Sequence, residues 1–164
     1  MVGIPTRALM LAVFGALILG SAYARQSSAV PLSLDINPTK KQVAAGGEVR
    51  IAIKLTNISD KPIIVEDNGV FPYRVNVRRA DGNPVVETER GKDMKKLQQL
   101  NENGRLETVK RMAVTINPGK TQSGECAISD WYDMSATGDY TIQLQLKWNG
   151  RLISSNVVEV VVEP

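Results

Sequence analysis

The sequence predicts an all-β, antiparallel two-sheet sandwich that follows an export signal. Three observations carry this. Several runs alternate apolar and polar residues with period two, turn-forming clusters separate those runs, and one short apolar run stands at the N-terminus of the 164-residue chain.

The N-terminal element comes first. Residues 1–7 carry Arg7 and no acid, and residues 8–20 (ALMLAVFGALILG) are uninterrupted apolar residues. Ala22-Tyr23-Ala24 then places small residues at the two positions that a signal peptidase reads. A spanning helix needs about 20 apolar residues, so a cleaved signal over residues 1–24 is expected rather than an anchor. No cysteine follows the run, which argues against a lipid anchor at the cleavage site. Residues 25–30 read as a polar linker and residues 31–164 as one domain. The expected location is the periplasm or the medium, with membrane contact only transient, through the signal peptide.

The strands follow in order. Leu32-Ser33-Leu34-Asp35-Ile36 is a leading strand. After the turn Ala44-Ala45-Gly46-Gly47, Val49, Ile51, Ile53 and Leu55 alternate with Arg50, Ala52, Lys54 and Thr56. A loop from Asn57 to Pro62 leads on. Tyr73, Val75 and Val77 then alternate with Arg74, Asn76 and Arg78, and Ala80-Asp81-Gly82-Asn83 turns into a strand over residues 85–88. Met112, Val114 and Ile116 form a further run, closed by Asn117-Pro118-Gly119-Lys120. Tyr140, Ile142, Leu144, Leu146 and Trp148 form the longest run, and Asn149-Gly150 is the strongest short hairpin signal in the chain. The final strand spans residues 152–162; Glu159 must face solvent, which points Val158, Val160 and Val162 inward. Each fully buried Val, Ile or Leu contributes roughly 1.5–3 kcal/mol, and a sandwich supplies the two inner faces they need.

Residues 91–105 break the rhythm. Met94, Leu97 and Leu100 are spaced by three, which predicts a protruding connection with a short helical turn over residues 93–100, packed by Met94 and Leu97. The stretch 90–111 holds Arg90, Lys92, Lys95, Lys96, Arg105, Lys110 and Arg111, diluted by Asp93, Glu102 and Glu107. It reads as a solvated lid or as a partner-binding loop through Lys92, Lys95, Lys96 and Arg105. If it packs on nothing, shortening it should shift stability by about 1 kcal/mol or less.

The second candidate is Asp130-Trp131-Tyr132-Asp133. Aromatics flanked by acids suit stacking on a sugar or peptide, or help in holding calcium; the simpler reading is that an aromatic ring plugs one end of the sandwich. Tyr140, after Gly138-Asp139, reads as a tyrosine corner whose hydroxyl ties a loop to its strand.

Several chemistries are closed. The chain has no histidine, which removes Ser-His-Asp and Cys-His catalysis and the usual zinc and copper sites. Cys126 is the only cysteine, expected to be a small buried apolar residue, so no intrachain disulfide is possible. No phosphate-binding glycine loop occurs, and no cofactor is expected. Losing Arg7 would take the formal charge from +3 to +2, too little to imply nucleic acid, and the basic stretch lacks interleaved aromatics. The acid pairs Glu66-Asp67 and Glu87-x-Glu89 leave a carboxylate-only glycan hydrolase formally open, although strand-end acids are ordinarily solvated surface.

The runs from Leu32 through Gly47-Glu48-Val49, Leu55-Thr56-Asn57, Tyr73-Arg74-Val75, Asp81-Gly82, Asn117-Pro118-Gly119 and Gly138-Asp139-Tyr140-Thr141-Ile142 resemble bacterial extracytoplasmic immunoglobulin-like domains. Within these they resemble the bacillus intracellular proteinase inhibitor type. The resemblance implies an immunoglobulin-like fold over residues 32–162 and brings proteinase inhibition in as an alternative function. No inhibitory loop matches residue by residue, and an exported chain departs from an intracellular role. The functional expectation is a non-enzymatic binding module whose partner is a protein or a cell-envelope component.

Overall fold

A computed structural model describes residues 30–67, 71–103 and 112–164 of the chain. The expected signal (1–24), nearly all of the linker, and Arg105, Lys110 and Arg111 lie outside the described residues. The elements are β1 (Leu32–Pro38), β2 (Gln42–Ala44), β3 (Arg50–Asn57), β4 (Ile63–Asp67), β5 (Tyr73–Arg79), α1 (Glu89–Glu102), β6 (Met112–Ile116) and β7 (Thr121–Ala127). A 3-10 turn (Ile128–Asp130), β8 (Gly138–Trp148), β9 (Arg151–Ser154) and β10 (Val158–Glu163) complete the chain.

Two sheets form the sandwich. One is ordered β1-β3-β7; the other is β2-β10-β8-β5, with β9 also on β8, and β4-β6 is a separate two-stranded piece. Every pairing is antiparallel except β2 on β10. The expected alternation is realised: Ile36, Ile51, Ile142, Leu144 and Val160 are fully enclosed between the sheets, while their chain neighbours point outward. The Tyr140 hydroxyl donates to the Ala136 carbonyl at 2.6 Å, and the Arg79 guanidinium sits 5.6 Å above its ring. That tyrosine corner, with the two-sheet order, makes the sandwich immunoglobulin-like. Asn149 and Gly150 turn β8 into β9 with φ of 47° and 75°, as their hairpin position requires. No helix of the described residues is long and apolar enough to cross a membrane.

The structure differs from the sequence reading in two strands. Residues 85–88 form no strand: Pro84 before them bridges to Arg78 and Glu87 bridges to Tyr132, because the chain there is already turning into α1. The final strand is two pieces. Gln145 lies opposite Ser154, yet Ile142 lies opposite Val158, so β9 and β10 together carry one residue more than β8 between those points. This bulge switches the inward parity from Ile153 and Ser155 to Val158, Val160 and Val162. Ser155 is buried there, with its hydroxyl accepting from the Leu144 N–H and donating to the Asn156 carbonyl.

The bulge also frees Asn156 to clamp the opposite sheet. Its amide accepts from the Ile36 N–H at 2.8 Å and donates to the Ile36 carbonyl at 2.9 Å, imitating a strand partner at the outer edge of β1. Asn156→Ala is expected to lower unfolding free energy by about 1–2 kcal/mol, read from the urea midpoint at unchanged slope, since two part-buried backbone groups lose their bonds.

A two-lobed groove along helix α1

Helix α1 begins where Thr88 supplies an N-cap: its hydroxyl accepts from the Gly91 N–H at 3.1 Å and donates to the Asp130 carbonyl at 2.6 Å. Glu89 suits the helix N-terminus and pairs with Lys92 at 2.7 Å. The helix is longer than the predicted turn, and of the two expected packing residues Met94 is on the packed face and Leu97 is not. Gly91, Met94 and Gln98, at i, i+3 and i+7, look toward the sheet, whereas Leu97 is 46% exposed. A Cβ on Gly91 would stand 2.1 Å from the Trp131 carbonyl oxygen, so the helix axis comes this close only because residue 91 has no side chain.

The helix covers an edge that would otherwise be bare. Residues 73, 75 and 77 of β5 turn their carbonyls away from β8. The Tyr73 carbonyl accepts from Gln98 Nε2 at 2.8 Å, as does the Phe71 carbonyl; that of Val75 accepts from the Tyr132 hydroxyl at 2.7 Å, and that of Val77 from the Val85 N–H at 3.3 Å. Residues 90–103 are therefore not a protruding connection: they close the end of a sheet that exposed backbone would leave prone to edge pairing.

Between α1 and β5 lies a cleft of about 320 Å³ lined by Val75, Met94, Lys95 and Tyr132 among others. A neighbouring cleft of about 410 Å³ runs past Phe71 to Ile64, Leu146 and Trp148. Arg74, Gln98 and Glu102 line both. The Arg74 guanidinium grips Glu102 through both carboxylate oxygens, at 2.8 and 2.7 Å, so a bidentate ion pair divides one groove into two lobes. Ile64 is 62% exposed, giving the second lobe an apolar lip.

The predicted site residues do not converge. Lys92 is held by Glu89; Lys95 pairs with Glu87 at 2.6 Å and reaches the first lobe; Lys96 is exposed on the outer face of α1. Asp130 pairs with Arg90 at 2.8 Å, and Asp133 accepts from the backbone and hydroxyl of Ser135. Those Ser135 bonds, side chain first, hold the Asp133 carboxyl below its usual range. Trp131 is half-buried with its ring 4.6 Å from that of Phe71, and the Tyr132 hydroxyl donates to the Val75 carbonyl, so both aromatics tie the 130–133 loop to β5 and the residues just before it. Glu87 and Glu89 serve separate lysines. Among the described residues no group of three or more His, Cys, Asp or Glu side chains could hold a metal ion. The sequence reading missed Phe71, Arg74, Gln98, Glu102 and Trp148. Arg74 and Gln98 look like ordinary solvated positions until the helix is placed over β5.

Three protons are held in place by burial. The Tyr132 and Tyr73 hydroxyls are each pushed up to about 12, mainly by burial, and the Cys126 thiol is likewise pushed up to about 12 against the opposing pull of Arg50. Each folded value lies above its unfolded one. Stability is therefore intact below about pH 9 and lost progressively as pH rises toward 12, where the unfolded chain ionises first. Thermal melts at stepped pH should stay level from pH 6 to 8, where no histidine titrates, and fall steeply above about pH 10, with Tyr132→Phe removing part of that fall. A melting point independent of pH up to about 11, about one unit above the unfolded tyrosine pKa, would contradict this.

No protein-family model matches the chain, and no curated protein matches it. Among solved structures it is similar to the CARDB domain of a Pyrococcus furiosus protein, at 11% identity and a TM-score of 0.42, covering 81% of this chain and 94% of that one. It is also similar to part of a β-glucosidase from Erythrobacter marinus, at 9% identity and a TM-score of 0.41, covering 80% of this chain and 15% of the enzyme. A β-glucosidase from Listeria innocua matches at 13% identity and a TM-score of 0.42, over 81% of this chain and 16% of the enzyme. None of these likenesses carries a function to this chain.

Proposed function

We propose that the chain is an exported, non-enzymatic interaction module that takes a protein or cell-envelope partner in the two-lobed groove along α1. The observation that carries this reading is the groove itself. A rigid sandwich presents two adjoining clefts of about 320 and 410 Å³, with apolar walls at Met94, Phe71, Ile64 and Trp148 and one ion pair between them. Apolar walls with a few fixed polar groups are the usual make-up of a recognition site. Lys96, exposed on the outer face of α1, would then add long-range attraction for an acidic partner rather than contact specificity.

The test is recovery of partners from an envelope or culture extract by the tagged chain, beside Ile64→Lys and Trp148→Ala. Both variants are expected to lose what the wild type retains, Ile64→Lys at unchanged melting temperature and Trp148→Ala at a lowered one, because Trp148 packs against the core. Retention by both, or a measured catalytic turnover, would overturn the reading. Assay against a panel of serine proteinases belongs in the same experiment, because inhibition would name the partner class. Export is tested separately: the mass of the recovered protein should correspond to a chain starting at Arg25.

A further inference from the structure

Of the strands that end the β1-β3-β7 and β2-β10-β8-β5 paths, β1, β2 and β5 are blunted. Asn156 clamps β1, which is flanked by Pro31 and ends at Pro38; β2 has three residues and follows Lys40 and Lys41; α1 covers β5. The seven-residue β7 has none of these devices. Its ladder to β3 uses the even-numbered residues, as the bonds from Asn57 N–H to the Lys120 carbonyl and from Ile128 N–H to the Val49 carbonyl show. The N–H and C=O groups of Thr121, Ser123 and Glu125 therefore point away from β3, and among the described residues they meet no partner. Gly124 sits mid-strand with no positive φ, no bulge in its register and nothing within 4 Å of a Cβ, so no internal contact explains it. Such a glycine commonly marks a place where another backbone approaches.

We propose that β7 pairs antiparallel with β7 of a second copy, with the two-fold axis through Gly124, making one continuous sheet across the dimer. Charge selects this register. Lys54 lies opposite Ser123 on the outward face and has no ion-pair partner among the described residues. With the axis at Gly124, Ser123 faces Glu125 of the second copy, so Lys54 lies two strand spacings (about 9–10 Å) from an opposite charge, within reach of two long side chains. With the axis at Ser123, the row would instead read Lys54, Ser123, Ser123, Lys54, setting like charges toward each other. The strand pair is small beside the roughly 1,200–2,000 Å² that stable interfaces bury, so the dimer is weak and concentration-dependent. This inference does not rest on the groove reading, since β7 and α1 are separate surfaces.

The experiment is sedimentation equilibrium on the full chain as recovered from the expressing cell, from about 1 μM to about 1 mM. The wild type is expected to pass from monomer to dimer over this range, less readily at high salt. Ser123→Pro removes an N–H aimed at the second copy and none aimed at β3, and should leave a monomer that melts as the wild type does. Lys54→Glu and Glu125→Lys should each weaken the dimer by about tenfold, since each acts twice across the axis, and the double charge swap should restore it. If Ser123→Pro fails to fold, the charge swap decides alone. A wild type that stays monomeric throughout, or a dimer indifferent to the charge reversals, overturns the proposal.

Discussion

Asn57→Ala is expected to lower unfolding free energy by about 2–4 kcal/mol. Asn57 is fully buried at the end of β3, and its amide is saturated. Nδ2 donates to the carbonyls of Lys61 at 2.7 Å and Ile116 at 2.8 Å, while Oδ1 accepts from the N–H of Ser59 at 2.9 Å and its hydroxyl at 2.7 Å. One side chain thus joins the first sheet, the loop before β4, and β6. Removing it leaves the Ile116 carbonyl buried without a donor, so the cost is desolvation rather than the loss of one average bond. Asn57→Asp separates this from simple packing. A carboxylate there faces two carbonyl oxygens, which raises its folded pKa above its unfolded one. That variant should lose stability as pH rises through the carboxylate range and recover part of it in acid, whereas Asn57→Ala should show no such recovery. Urea melts at pH 4 and pH 7 on both variants test this; equal pH dependence would show that the amide bonds are not what holds β4 and β6 to β3.

What could be read from the sequence is the part governed by period-two burial. The inner residues of β3, β5, β8 and β10, the Asn149-Gly150 turn and the Tyr140 corner follow from local rules and stand where expected. The bulge escaped because Ser155 and Asn156 act through hydrogen bonds, to Leu144 and Ile36, that no apolar pattern records. The site was harder still. Its key helix packs through Gly91 and Gln98 beside Met94, so the spacing of Met94, Leu97 and Leu100 places Met94 rightly and turns Leu97 inward where it is exposed. The Asp130–Asp133 loop stands out for its aromatics, and those aromatics are spent on tying that loop to β5 and its approach: Trp131 on Phe71, Tyr132 on the Val75 carbonyl. The groove depends on β5, α1 and β8 meeting, a long-range arrangement with no local signature.

Gly91→Ala is expected to undo the seating of α1. In an unobstructed helix the change would stabilise by about 1 kcal/mol through helix propensity. Here the added Cβ would meet the Trp131 carbonyl oxygen at 2.1 Å and its carbon at 3.0 Å, both backbone atoms that cannot swing aside. The helix must lift, at a cost of roughly 1–3 kcal/mol that reverses the propensity gain. Lifting carries Gln98 away from the Phe71 and Tyr73 carbonyls and opens the Arg74–Glu102 pair, so both lobes of the groove lose their shared wall. Two readouts should move together: faster hydrogen exchange across α1, and exposure of the β5 edge as aggregation on mild heating. Gln98→Ala should give a milder form of both, because the freed carbonyls lie near enough to the surface to take water. The double variant should cost less than the sum of the two, since a helix already lifted has no bond from Gln98 left to lose. Full additivity, or a Gly91→Ala domain more stable than the wild type, would mean that α1 does not rest on Trp131 and that the groove has no fixed wall.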